Sequence, residues 1–179
     1  MYAIGAILSS TLLGAVLGSL GSVLISPQWR LLALVSVALV GIGMAACDFG
    51  IAGMRTPTLS RQTCPIWWRT FRRSLAAFLW GLDLGLGFTT IRVASLYWIV
   101  ALMAVVLASP FTGALILSGY GLALTLNLSV GIWLLEHKDD HLHSANMHAL
   151  QSFSFLKRSL GGLLFFWSSI LLIIVALRK

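Results

Sequence analysis

The stretch 78-FLWGLDLGLGFTTIRVASLYW-98 decides how this chain folds. It sets Asp83 and Arg92 inside an apolar run, with Gly81, Gly85 and Gly87 beside the aspartate. The run extends from about residue 74 to about 108 without a proline. As one straight helix, those ~35 residues would measure about 52 Å, against a hydrocarbon core of about 30 Å. Such a segment tilts strongly, protrudes or breaks. Gly81, Gly85 and Gly87 mark where a break is expected, and irregular backbone at membrane depth requires cover from protein or a wet cavity.

Composition supports a membrane setting for the whole chain. Of the 179 residues, 59% are hydrophobic and only 9% charged, with a mean hydropathy of +0.96. A water-soluble domain carries about a quarter charged residues. The fold class expected is all-α: a polytopic integral membrane helix bundle forming a single transmembrane domain over residues 1–179. Its spans are expected at about 3–25, 31–53, 74–108, 112–135 and 159–177. All prolines (Pro27, Pro57, Pro65 and Pro110) fall between them. The first run starts almost at Met1 without a basic leader, so it reads as a retained span rather than a signal peptide.

The basic residues orient the bundle. Loop 54–73 holds Arg55, Arg61, Arg69, Arg72 and Arg73, and loop 136–158 holds Lys138, Lys157 and Arg158. The opposite side holds Arg30, Arg178 and Lys179. The positive-inside rule makes both long loops cytoplasmic, with the N-terminus inside and the C-terminus outside, in a cell (plasma or inner) membrane. Six spans, with 74–108 read as two, would move the second basic loop outside, against that bias. The net charge of +7 is accounted for by topology and anionic headgroups; no nucleic-acid partner is expected.

Charges at membrane depth face a partner or a polar pathway. Asp83 and Arg92 are nine positions apart, about 13–14 Å on a straight helix, so they pair only if the helix breaks. Asp48, near the cytoplasmic end of the second span, is a candidate partner for Arg92. Thr89, Thr90 and Asn127 are further polar groups within spans. Two readings stand: a buried pair that fixes helix register, or a substrate or ion path.

The loops add their own signals. In 65-PIWWRTFRR-73, Trp67 and Trp68 stand beside Arg69, Arg72 and Arg73, a composition suited to headgroup depth. A helix over 65–73 is expected to lie at the interface and feed the third segment. His137, His141, His143 and His148 all fall in 136-EHKDDHLHSANMH-148, either as a solvated turn or as ligands for a divalent metal such as Zn²⁺. No histidine lies in a span, which disfavours histidine-ligated haem at bilayer depth. No other cofactor is expected. Cys47 and Cys64 are the only cysteines and form no CxxC pair.

Residues 76–104, AAFLWGLDLGLGFTTIRVASLYWIVALMA, resemble the second signature helix of the CcdA/DsbD-type thiol–disulfide transmembrane family of cytochrome c biogenesis. Residues 5–24, GAILSSTLLGAVLGSLGSVL, resemble its first signature helix through their small residues. The resemblance implies an inverted-repeat architecture with broken signature helices. Where the family has Pro-Cys after threonine, this chain has Ile91 after Thr90, so the redox cysteines do not carry over.

Gly14 and Gly18, and Gly81 and Gly85, form GxxxG pairs that bring helices close, within the chain, in a homo-oligomer or in a larger membrane complex. Neither a nucleophile elbow nor a phosphate loop occurs. Three functions follow as expectations. The first is a small transporter-like protein with a polar path for a small solute or ion at the broken third segment. The second is a non-catalytic accessory or assembly subunit, and the third a membrane thiol-redox conduit.

Overall fold

The computed structural model describes residues 1–49, 67–87 and 96–136, with helical positions 163, 166, 167, 169 and 170. The described residues are all-helical: α1 (Tyr2–Leu24), a 3-10 turn (Pro27–Trp29), α2 (Arg30–Phe49), α3 (Trp67–Thr70), α4 (Arg73–Leu86), α5 (Leu96–Val106) and α6 (Pro110–Glu136). Three helical stretches, Tyr2–Leu24, Pro27–Phe49 and Pro110–Val130, are long and apolar enough to cross a membrane. The expected last span, about 159–177, lies almost wholly outside the described residues.

α1 is the hub, packing on α4, α5 and α6. Its buried side is made of small residues, Gly5, Ala6, Ser9, Ser10, Gly14, Gly18 and Gly21. Ile4, Leu8, Leu12, Val16 and Leu20 repeat every four residues on its exposed side. That is the reverse of a water-soluble helix. With lipid as apolar as leucine, burial of large side chains gives no drive for association, so small residues form the contacts and large ones face outward. α6 follows in part, exposing Phe111, Leu115, Leu122 and Leu126 and burying Gly113 and Gly121, although Leu117 is fully buried as well.

The close contacts fix the directions of the helices. A Cβ on Gly81 would overlap the Tyr2 carbonyl, and one on Gly85 the Ala6 carbonyl, so α4 runs parallel to the first half of α1. A Cβ on Gly14 would overlap the Gly113 carbonyl and one on Gly18 the Ser109 carbonyl, so α6 runs antiparallel. The Tyr2 hydroxyl donates to the Thr125 carbonyl at 2.7 Å, in the same register. Gly21 abuts the Val105 carbonyl, while Tyr97 and Ala104 cluster with Leu13 and Leu17. α5 therefore runs parallel to α1 along its second half. α4 and α5 stand in series beside one continuous helix, pointing the same way.

Of the three glycines expected to mark a break, only Gly87 does so. Gly81 and Gly85 stay helical because their missing side chains serve the contact with α1. Gly87, at φ +77°, follows the last residue of α4. Of the single helix expected over 65–73, the described part, 67–73, is instead α3, a bend at Phe71 and a new start at Arg73. Arg72 is extended (φ −59°, ψ 146°), which turns the chain between them. α6 begins at Pro110 itself, a position where the missing N–H costs nothing. The residue two before it, Ala108, holds a left-handed φ of 50° at the end of α5.

α2 returns from the Pro27–Trp29 turn and packs on α5. Val37 and Ala45 meet Ile99 and Val106, with Ala33, Leu34, Met44, Leu96 and Met103 around them.

Candidate functional site

The site is the place where α4 stops inside the bundle. The last carbonyls of a helix have no partner in their own helix, and when buried they need one from elsewhere. Two side chains from other helices take that role. Ser10 Oγ on α1 lies 2.7 Å from the Ala6 carbonyl and 3.0 Å from the Gly85 carbonyl, its single O–H shared between them. The Tyr97 hydroxyl on α5 donates to the Leu86 carbonyl. Ser9 is also buried there, its hydroxyl donating to the Ala6 carbonyl at 3.2 Å.

Tyr97 is held tightly. It is only 2% exposed, its ring is edge-on to Trp98 and tilted against Tyr120, with centroids 5.5 Å apart in each pair. Gly87 closes against the same ring, and a Cβ there would overlap it. The backbone leaves α4 through a left-handed glycine because no side chain fits between the turn and Tyr97.

Two carboxylates are buried in this region. Asp83, 8% exposed, is in the last turn of α4. It lies on the face shared with Ala76, roughly half a turn away from Gly81 and Gly85, and that second face of α4 is buried too. Asp48, 3% exposed, continues the buried stripe Val37, Gly41 and Ala45 of α2. That stripe faces α5, and because α2 runs back along it, Asp48 falls toward the Leu96 end. Both acids thus flank the α4–α5 junction, and neither is without a partner.

The chain matches no protein-family model, no curated protein and no solved structure.

The remaining expected residues divide clearly. Asn127 is exposed on α6, and its amide donates to the Ala123 carbonyl one turn back at 2.8 Å. Trp67 is half-buried in α3, while Arg69, Arg72 and Arg73 are exposed around the α3–α4 corner. Cys47 is half-buried on α2. Thr89, Thr90, Arg92, Cys64, His137, His141, His143 and His148 lie outside the described residues, as does the Trp68 side chain. Among the described residues, no three His, Cys, Asp or Glu side chains form a group that could hold a metal.

Sequence reasoning missed Ser10 and Tyr97. A serine pair and a tyrosine inside apolar runs were the available signals. What they bond to, two main-chain carbonyls of a third helix, is a product of tertiary packing.

Proposed function

We propose that this protein is a small transporter-like membrane protein whose polar path, for a small solute or ion, passes the α4–α5 junction. The observation that carries this reading is the burial of Asp48 and Asp83 beside a helix end within an apolar bundle. Ionisable groups at such depth are costly and mark pathways in proteins that move polar cargo, and paired half-helices recur at transporter binding sites. The sequence carries Thr89, Thr90 and Arg92 between the two half-helices. In this reading α4 and α5 make one broken span, the chain crosses five times, and the N-terminus and both basic loops are cytoplasmic. The likeness to the CcdA/DsbD-type family extends, in this proposal, to broken-helix architecture and not to dithiol chemistry. An assembly role has less support, because both GxxxG pairs are occupied by contacts within the chain.

Water accessibility tests the path. Single cysteines at Leu82, Asp83, Leu84, Leu86 and positions 88–92, in a Cys47→Ser, Cys64→Ser background, are probed with a membrane-impermeant thiol reagent from each side. The three glycines are avoided because a side chain there collides with α1 or Tyr97. Labelling of a stripe that includes positions 83 and 90 supports the path. Uniform protection overturns it and leaves a dry, register-fixing polar cluster.

A further inference from the structure

The α3–α4 corner has no role in that path, yet it is the most strongly charged described surface. Arg69, Arg72 and Arg73 are all exposed there, and none of the three guanidinium groups bonds to a described residue. The chain has five acidic residues. The two whose side chains are described, Asp48 and Asp83, are buried in the junction. Exposed Phe71 and Leu75 alternate with the arginines, and half-buried Trp67 stands on the same corner.

Depth follows from the helix register. Gly81 is level with Tyr2, whose ring packs on Trp80 with centroids 5.7 Å apart. Aromatic pairs of this kind gather at the membrane–water boundary. Arg73 is eight residues earlier on α4, about 12 Å farther out along its axis. Arg73, and Arg72 next to it, therefore stand beyond the end of α1, on the headgroup side of the Tyr2–Trp80 pair, with Arg69 on the short helix that packs on α4.

We propose that the α3–α4 corner binds the phosphate of an anionic lipid headgroup through Arg69, Arg72 and Arg73. Guanidinium groups present planar forks of N–H donors that match phosphate oxygens. The uncapped first turn of α4 adds a weaker positive contribution. A lipid is favoured over a soluble anion because Phe71 and Leu75, exposed beside the arginines, suit the mixed apolar and polar surroundings of the membrane interface, whereas a soluble ligand would leave them in water.

The test uses the full chain in phosphatidylcholine vesicles, with spin-labelled phosphatidylglycerol and spin-labelled phosphatidylcholine as probes. The association of the first relative to the second is measured by electron paramagnetic resonance. Wild type is expected to prefer phosphatidylglycerol, and each Arg→Gln change at 69, 72 or 73 to reduce that preference by about fivefold at most. The triple variant is expected to show none, while an Arg178→Gln, Lys179→Gln control keeps it. If the triple variant cannot be recovered folded, Arg72→Gln alone is read in the same way. An unchanged preference in the variants, or equal loss in the control, overturns the proposal. So does full displacement by inorganic phosphate at constant ionic strength, which would identify a free-anion site instead.

Discussion

The Tyr97 hydroxyl donates to the Leu86 carbonyl, and the side chain is buried, at 2% exposure. Removing the hydroxyl leaves a buried carbonyl without its donor while keeping the ring contacts with Trp98 and Tyr120. Tyr97→Phe is therefore expected to cost about 1–2 kcal/mol, measured as a lower melting temperature in detergent. A wild-type melting temperature would mean that the bond adds nothing to stability. Gly87→Ala should cost more, since the new methyl meets both an unfavourable φ of +77° and the Tyr97 ring. The sequence made a glycine break legible, but not which glycine. Packing glycines and turn glycines share the same absent Cβ, and only the neighbouring helix separates their roles.

At the scale of elements, α1 works as a groove into which other backbones settle. Gly85→Val would drive a branched side chain into the Ala6 carbonyl and Ser9, and backbone atoms cannot swing aside as a side-chain tip can. A loss of about 3 kcal/mol or more is expected, seen as reduced folded yield and an early melting transition. Gly119, with open space around it, is the counter-case: Gly119→Ala should leave stability unchanged or raise it by up to about 1 kcal/mol. The α5–α6 corner offers a gain of its own. Ala108 holds a left-handed φ of 50°, so Ala108→Gly is expected to stabilise the fold by about 1 kcal/mol, again by melting temperature. The long apolar helices were legible because hydropathy alone selects them. The kink at Phe71–Arg72 was not, since 67-WWRTFRR-73 has no residue type that forbids helix; the turn is a matter of how α3 meets α4. At Asn127 the described bond is local: its amide donates to the Ala123 carbonyl of its own helix.

For the molecule as a whole, the arrangement that matters is the serial placement of α4 and α5 along α1. Each covers about half of that helix, and they point in the same direction. Two complete spans joined by a loop would be antiparallel. One broken span puts the α5–α6 corner at the same end of the bundle as the α1–α2 turn, opposite the start of α4. Three single cysteines in a background without Cys47 and Cys64 read this directly: Gln28→Cys in the α1–α2 turn, Ser74→Cys at the start of α4, and Phe111→Cys, at an exposed position at the start of α6. In sealed vesicles, Gln28→Cys and Phe111→Cys are expected to react with an impermeant reagent from one side, and Ser74→Cys from the other. Reaction of Phe111→Cys from the Ser74 side would mean that the chain crosses the membrane between residues 74 and 111 twice. That outcome would remove the broken span, and with it the reason to place a polar path beside Asp83.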